Sequence, residues 1–460
     1  MQKTRLIKTL FLLAVCASSC EDYVEVDVPD HKMVREVVFN NDETALSAMK
    51  GIYNELFRSS FSSGNVNSVT ALAGLSAHEI GNLSATNLTA MEFEANQILP
   101  NNPSNHSLWS GAYNMVYMAN AVLEGTTASD QLSEGVRDQL EGEAKFIRAF
   151  AYLYLVNLYG EVPLLLTTDY RTNAVPSRDT VGEVYDQIIS DLNDAVALLD
   201  TDYREGERTH VNRYVAMALL ARTTLYTEKW EQAENWAGQL IDGTSDHELL
   251  ADLDQVFLKN SREAIWQISP IGRGNIFTNT NDGNLFISAF PSFYLAKNLA
   301  DSFEDGDKRA LHWVGFNEGR NEYHPFKYKD GSSTNNITEY TMVLRLAEQY
   351  LIRAEARAMQ GNLTGAIDDL DRIRQRAGLP LLAETDPAIS RNAFLDILME
   401  ERKKELFTEW GHRWFDLKRT GRASDVLGTN NPLWQDTDVL FPVPEEERLK
   451  NPNLGQNQGQ

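Results

Sequence analysis

The sequence predicts a mainly α-helical protein in which helix pairs form a scaffold that carries long, irregular loop insertions. Apolar residues recur at helical spacing through several long segments, whereas strand signals are sparse and short. Two stretches, 221–233 and 354–366, each place two alanines twelve residues apart across a turn, which is the spacing of tetratricopeptide helix pairs. Long segments rich in glycine and small polar residues separate the helices and supply the insertions.

The helices are predicted from apolar periodicity together with start and stop signals. The clearest one begins at Thr180, which has the spacing of a capping box with Glu183. Gly160, Gly361 and Gly378 stand where helices are expected to end. The predicted helices cover 133–159, 180–199, 211–227, 231–242, 341–360, 364–377 and 390–410.

The alanines of the two self-similar stretches indicate close contact between paired helices. Ala221 and Ala233 in one stretch, and Ala354 and Ala366 in the other, are small enough to let two helices approach each other. The first two predicted helices would form a third, looser pair. Such a scaffold presents its insertions to the outside, so it predicts binding more readily than catalysis.

The first twenty residues have the organisation of a lipoprotein signal. Three basic residues precede an apolar run over 10–15, and small residues then lead to Cys20. The run is too short for a transmembrane helix, which takes about 20 residues. We therefore expect residues 1–19 to be removed and Cys20 to carry the lipid that holds the protein on a membrane.

Charge and cysteine content argue against several classes of function. The chain has 66 acidic and 42 basic residues and a formal net charge of −24, which falls to −27 when the three basic residues of the signal are removed. This charge repels phosphate backbones and argues against nucleic-acid binding. Cys16 lies in the signal and Cys20 is expected to be lipidated, which leaves no thiol for a disulfide, a zinc site or catalysis.

The sequence contains no complete catalytic or cofactor motif. His78-Glu79 lacks the second histidine of a zinc-protease helix, and Gly272-Arg273-Gly274 lacks the third glycine of a dinucleotide loop. The eight histidines form no close pair, so we expect neither a metal centre nor a cofactor. The acidic cluster over 301–307 lacks the spacing of a calcium loop or of paired glycosidase carboxylates and is interpreted as a solvated turn.

Three irregular segments interrupt or follow the helices. Residues 59–106 are rich in small polar residues, and 268–340 combine many glycines with many aromatic residues. Residues 428–460 contain closely spaced prolines and are expected to wrap over the scaffold. Because long loops in compact domains commonly carry function, we expect the first two segments to face the ligand.

The aromatic residues of the 268–340 loop supply the candidate ligand contacts. An exposed ring beside amide or guanidinium donors suits the apolar C–H face of a sugar, although rings also build cores. Trp313, next to His312, is the best single candidate. The candidate ligand-binding residues are Trp313, Phe277, Phe286 and Tyr294, with polar support from Asn67 and Asn82. The same loop also contains Phe290, Phe293, Phe316, Tyr323, Phe326 and Tyr328.

Four motifs follow one another along the chain. They read GEAKFIRAF and LYGEVPL over 142–164, YLIRAEA over 350–356, GHRWFDLKR over 411–419, and LFPVP with NPNL over 440–454. Together with the signal, they resemble the SusD/RagB family, the surface lipoproteins that partner TonB-dependent transporters in Bacteroidetes nutrient uptake. Trp410 stands between a glutamate and a glycine that are adjacent in many members, so we expect a local adjustment of the helix there.

The resemblance implies a function as well as a fold. It implies a mainly α, SusD-like domain over 20–460, anchored to the outer membrane through Cys20, facing the cell exterior and binding a glycan without catalysis. The glycan would pass to a SusC-like TonB-dependent transporter. Glu21 and Asp22 resemble the acidic signature of surface-exposed lipoproteins.

Two other functions remain open at this point. One is peptide capture by a RagB-like lipoprotein, and the other is a surface glycoside hydrolase. The absence of Trp and Tyr between Tyr53 and Trp109 argues against starch as the ligand. Arg148, Arg413 and Asp416 lie among apolar helix positions, so we expect internal ion pairs or helix-end clamps from these motif residues, and not ligand contacts.

Overall fold

A computed structural model of the protein describes residues 35–270, 279–331 and 336–459. The predicted signal, Cys20 and Phe277 lie outside the described residues, so the predictions about them stay predictions. The helices are α1 Arg35–Val38, α2 Asp42–Arg58, α3 Val69–Ser76, α4 Leu88–Glu94, α5 Pro103–Ala128, α6 Glu134–Tyr159, α7 Val181–Leu198, α8 Arg213–Tyr226, α9 Trp230–Asp242, α10 Asn281–Ile287, α11 Lys297–Ala300, α12 Lys308–Trp313, α13 Leu346–Met359, α14 Leu363–Ala377, α15 Leu382–Thr385, α16 Arg391–Leu406, α17 His412–Arg419, α18 Ala423–Leu427 and α19 Glu445–Lys450.

The strands are short and form three separate antiparallel pairs among the described residues. They are β1 Ile80–Asn82, β2 Ala264–Ile268, β3 Phe293–Leu295, β4 Val314–Asn317, β5 Glu322–Pro325 and β6 Thr341–Arg345. β1 pairs with β3, β2 with β6, and β4 with β5. The prediction of a mainly helical protein is therefore confirmed.

Helices that follow one another along the chain pack side by side from α5 to α9, and α13 then packs against both α9 and α14. Ala221, Ala233, Ala354 and Ala366 are fully buried at these contacts. Ala221 and Ala233 share one small core with Ala356 of α13. The small residues therefore lie where the helices approach closely, as tetratricopeptide-like pairing requires.

The start and stop signals of the sequence are found in the structure. Thr180 and Glu183 form both hydrogen bonds of a capping box at the start of α7. Gly160 and Gly378 follow α6 and α14 with φ of 75° and 78°, a backbone conformation that glycine adopts at little cost. Local chemistry therefore sets these helix ends.

Two predicted helices are shorter than the sequence analysis expected. Residues 341–345 form strand β6, which pairs with β2. Both faces of this strand are buried, so its sequence shows no alternation that would separate a strand from a helix. The last predicted helix ends at Leu406, since Thr408 and Trp410 have φ of 52° and 46°. Trp410 then points into the core and donates from Nε1 to the Met342 carbonyl oxygen at 2.7 Å.

The predicted polar insertion over 59–106 also contains regular structure. Every residue of α3 is buried, so its sequence lacks the one-sided apolar period that marks a surface helix.

The C-terminal segment lies against α5 and α6. The Asn105 Nδ2 donates to the Pro442 carbonyl oxygen at 2.8 Å, and the Phe441 amide donates to Leu158 at 2.8 Å.

The charged motif residues form the internal contacts that were predicted for them. Arg148 pairs with Asp191 at 2.7 Å, and Asp416 pairs with Arg402 at 2.7 Å. Arg413 donates from Nε to the Ala77 carbonyl oxygen at 3.1 Å, which clamps the end of α3. The described helices include none that is long and apolar enough to cross a membrane.

The acidic cluster over 301–307 is exposed at Asp301, Glu304 and Asp305, as expected for a solvated turn, but not at Asp307. Asp307 of the acidic cluster is only 4% exposed, so this carboxylate is not solvated. It pairs with the buried Arg309 at 2.8 Å, and Arg309 also contacts Glu405 at 3.2 Å. A buried carboxylate needs such a partner because leaving it unpaired would cost several kcal/mol.

Candidate ligand-binding cleft

A cleft of about 260 Å³ opens where β3, the β4–β5 hairpin and the end of α10 meet. We call it the aromatic cleft. Its walls carry the rings of Tyr294, Tyr323, His324 and Phe326. Phe290, close to the rim residue Pro291 in sequence, is 92% exposed. Aromatic side chains thus converge on one concave surface of the 279–331 loop.

Tyr294 is positioned by the glycine opposite it. β3 pairs with β1 so that Tyr294 faces Gly81 across the strands. A Cβ atom on Gly81 would lie 2.1 Å from the Tyr294 Cζ, so the ring lies across a stretch of strand that has no side chain. Tyr294 is half-buried, which leaves part of the ring to the cleft.

The β4–β5 hairpin provides the opposite wall. Phe316 and Tyr323 pair across the two strands with ring centroids 5.0 Å apart. Gly315 faces His324, and a Cβ there would meet the His324 Nε2 at 2.2 Å. The glycine therefore lets the imidazole lie over the strand, where it also contacts Phe326 at 5.8 Å between centroids.

Polar side chains are placed around these rings. Asn317 and Arg320 belong to the hairpin turn, where the Asn317 Oδ1 accepts from the Arg320 amide at 3.1 Å. Lys329 is held by the Phe326 carbonyl oxygen at 2.7 Å and by Asp254 at 3.2 Å. Arg320 is exposed and forms no ion pair with any described residue, so its guanidinium is available to a ligand.

Two titratable groups of the cleft, His324 and Tyr294, favour their neutral, hydrogen-bonding forms. Burial lowers the pKa of His324, and the charge of Arg320 lowers it further, so the ring is neutral at pH 7. Burial raises the pKa of the Tyr294 hydroxyl. Among the described residues that line the cleft, Glu322 is the one carboxylate. Hydrolysis of a glycosidic bond by the usual mechanism needs two facing carboxyl groups.

Trp313 was predicted as the best ligand contact, and this prediction is wrong. The side chain is fully buried, and its Nε1 donates to the Leu253 carbonyl oxygen at 3.1 Å. Its ring lies 4.9 Å from the Nζ of Lys327, a buried cation that Phe407 also faces at 4.1 Å. The tryptophan is therefore part of an internal aromatic enclosure and not of a binding surface.

The other candidate residues have different outcomes. Phe286 is only 4% exposed and contributes to the base of the aromatic cleft, so it is not an exposed platform. Asn67 accepts from the Ser104 hydroxyl at 2.7 Å, and Asn82 is bonded to the backbone of Ser84. Neither asparagine lines the aromatic cleft, because Asn67 is bonded to α5 and Asn82 to a local turn.

Tyr323, Phe326 and Arg320 are the cleft residues that sequence reasoning did not single out. The first two were counted among the loop aromatics, but their approach to Tyr294 depends on two separate strand pairings. The pattern that marks the hairpin is the turn at 318–321 between short alternating segments. That pattern predicts a hairpin without showing what packs beside it.

Comparisons with known proteins identify the family. Residues 22–225 match the family profile described as "Starch-binding associating with outer membrane", and residues 307–459 match that of the SusD family. SusD-like protein P25 of Formosa agariphila is 25% identical over 99% of this chain and 98% of its own length.

Solved structures show the same fold. A SusD superfamily protein from Bacteroides vulgatus covers 92% of this chain and 100% of its own, with a TM-score of 0.78 and 19% identity. A laminarin-binding SusD-like protein covers 91% of this chain and 100% of its own, with a TM-score of 0.73 and 23% identity. The chain belongs to the SusD/RagB family.

Proposed function

We propose that this protein is a non-catalytic surface lipoprotein that binds an oligosaccharide or polysaccharide and delivers it to a TonB-dependent transporter of the outer membrane. The observation that carries the proposal is the aromatic cleft, in which the half-buried Tyr294 lies over Gly81 and faces the hairpin rings of Tyr323 and Phe326. A sugar would bind with its C–H face on these rings.

The chemistry of the cleft suits a sugar. Its rings offer apolar faces, while Asn317 and Arg320 offer hydrogen-bond donors at the edge. Sugar hydroxyls exchange water for protein at a small net gain, so binding to an open site of this kind is expected to be weak to moderate.

The proposal of a binding protein without catalysis is supported by the lining of the cleft. A single lining carboxylate, Glu322, provides no partner for acid–base or nucleophilic work on a glycosidic bond. Family membership supports the same conclusion, because a profile matched by this chain is described by starch binding at the outer membrane. Laminarin binding by a structural neighbour extends the plausible ligands beyond starch.

The location follows from the N-terminus and the family. The lipoprotein signal ending at Cys20 would place the mature chain on a membrane through its lipid, and the family description associates it with the outer membrane. A glycan held at the cell surface must cross that membrane to be used. A TonB-dependent transporter is therefore the partner that we propose.

A calorimetric screen of oligosaccharides, including laminarin fragments, against the purified chain tests the proposal. Tyr294→Ala is expected to weaken binding at least about tenfold, which corresponds to about 1.4 kcal/mol of lost stacking. The matched control is Tyr117→Ala, since Tyr117 is 57% exposed on α5 and does not line the cleft.

Three results would contradict the proposal. Equal loss of affinity in both tyrosine variants would remove the aromatic cleft as the site. Shortened sugars in chromatography of the incubated ligand would show a hydrolase, and binding of peptides without any glycan would show the RagB-like alternative.

A further inference from the structure

A second and larger cleft, of about 750 Å³, lies between α9, α13 and α14. We call it the interhelix cleft. The segment 247–251 and Lys308 complete its walls, and it shares no lining residue with the aromatic cleft. Its volume is in the range of small-molecule sites. Neither the sequence motifs nor the proposed function assigns it a role.

The interhelix cleft has a positive balance in a strongly acidic protein. Its lining carries five cationic and four carboxylate side chains, while the chain as a whole has 42 basic and 66 acidic residues. Asp369 is neutralised by Arg353 at 2.7 Å and by Arg357 at 2.9 Å. Asp369, the buried carboxylate of the lining, is therefore already paired.

Two cations at the mouth of the cleft have no such partner. Lys308 and Arg372 are exposed, and neither forms an ion pair with any residue that the structure describes. Asp368, also exposed, is the one lining carboxylate without an ion-pair partner in the same part of the chain. The unpaired charges at the mouth thus favour an anionic group on the ligand.

A buried wall of the cleft carries an unused hydrogen-bond acceptor. His247 is 7% exposed, and its Nε2 lies 2.8 Å from the Tyr203 hydroxyl oxygen. That hydroxyl donates its own proton to the Ile265 carbonyl oxygen at 2.9 Å, so the Nε2 of His247 must be the donor toward Tyr203. The Nδ1 is left as an acceptor, and it has no partner among the described residues.

The same wall carries an unused donor. Arg376 lines the cleft and uses its terminal nitrogens on Glu263 and Glu405, but its buried Nε–H has no partner among the described residues. An unpaired buried donor and acceptor each cost free energy until a group of the opposite kind reaches them. Both atoms are closed to solvent in this structure, so a ligand hydroxyl, which can both accept and donate, reaches them only when side chains of the wall move aside.

We propose that the interhelix cleft binds a sugar acid, a hydroxyl-rich ring that carries a carboxylate. The carboxylate would bind Arg372 and Lys308 at the mouth, and the ring hydroxyls would reach toward His247 and Arg376 in the wall. Tyr350, half-buried in the lining, offers an apolar face to the ring. The site is independent of the aromatic cleft.

Calorimetric titration of the full chain, purified in detergent, tests this inference with three probes. D-glucuronate carries both features of the ligand, D-glucose has the hydroxyls without the charge, and succinate has the charge without the ring. We expect binding of glucuronate and at least about tenfold weaker binding of the other two.

A charge reversal locates the site. Arg372→Glu is expected to weaken glucuronate binding at least about tenfold, because it replaces an attractive partner with a repulsive one. Arg391→Glu, at an exposed arginine on α16 outside the cleft, is the matched control and should leave binding unchanged. Tyr294→Ala should also leave it unchanged.

The possible contrary results are distinct. No binding of glucuronate, or equal binding of succinate, would overturn the inference. Equal losses in Arg372→Glu and Arg391→Glu would show a general charge effect instead of a site. Loss of binding in Tyr294→Ala alone would show that glucuronate binds in the aromatic cleft. Because the two clefts share no lining residue, failure of the sugar-acid proposal leaves the proposed function intact.

Discussion

The roles of single residues in this protein depend on partners that lie far away in the sequence. Trp313 lies in the ten residues from Gly306 to Gly315, and the two glycines favour a loop. In the structure, however, its ring faces Lys327, Phe257 and Leu253 in a buried cluster. The Lys327 ammonium donates to the Glu405 and Phe407 carbonyl oxygens, both at 2.8 Å. No local sequence pattern predicts a buried lysine. The role of the tryptophan, which contacts that lysine, therefore could not be predicted.

The buried Trp313 gives a prediction about stability. Trp313→Ala is expected to lower the free energy of unfolding by about 3–5 kcal/mol. The substitution leaves a cavity and removes the ring that contacts the Lys327 ammonium. Urea unfolding measures this change. Phe316→Ala is the control, since Phe316 is 48% exposed, and a similar loss in both variants would contradict the assignment.

Asp282 gives a prediction about pH. It is buried, and burial raises the pKa of its carboxyl to about 7, against a weaker opposing effect of the Thr341 hydroxyl at 3.2 Å. Between the unfolded pKa of about 4 and the folded pKa, the native state holds a proton that the unfolded state has lost. This group's contribution to stability is complete below about pH 4 and is lost as pH rises through 7.

The measurement is urea unfolding of Asp282→Asn and wild type at several pH values between 4 and 8. We expect wild type to lose up to about 1.4 kcal/mol per pH unit relative to the variant over this window. Asp305→Asn, at an exposed aspartate, should follow wild type. Parallel curves for Asp282→Asn and wild type would show that the carboxyl is ionised in the folded protein.

Elements were predicted well where one face of a helix is buried and poorly where both faces are. α7 has a one-sided apolar period and a capping box, and its bounds match the prediction within one residue at each end. α3 and β6 are buried on every side, so their sequences lack a period that separates helix from strand. The aromatic cleft was found only in part for a different reason, because β1 and β3 are three residues long and too short to show a strand period.

The helix contacts give a prediction at this scale. Ala221→Leu and Ala354→Leu are each expected to destabilise the fold by about 1–3 kcal/mol, because added methylenes at a close helix crossing force the pair apart. Thermal unfolding measures the effect. Ala393→Leu, at an exposed position of α16, serves as the control. Wild-type stability in both core variants would remove the argument for close pairing.

At the scale of the whole molecule, the description of the matched family associates the chain with the outer membrane, and the proposed surface location rests on the predicted lipoprotein signal. The charge and the lack of a complete catalytic motif argued against several classes of function, and the four motifs indicated the family that the comparisons then showed. The aromatic cleft was harder to predict. It is assembled from a hairpin and from strands paired across more than 200 residues, Ile80 with Leu295 among them.

The anchoring proposal predicts the behaviour of a cysteine variant. Cys20→Ala is expected to abolish membrane attachment and leave an unprocessed or soluble protein, because none of the described helices is long and apolar enough to hold the chain. Fractionation of cells that express each form measures this. Unchanged recovery of the variant with the outer membrane would contradict lipid anchoring, and Cys16→Ala controls for changes to the signal itself.

We propose that a glycan binds intact in the aromatic cleft. The most direct test of this proposal is a crystal structure of the protein with the best oligosaccharide from the calorimetric screen. We expect unbroken sugar density against Tyr294, with the hairpin residues Tyr323 and Arg320 in contact. Sugar density at any site that excludes Tyr294, or a cleaved glycosidic bond within the cleft, would contradict it.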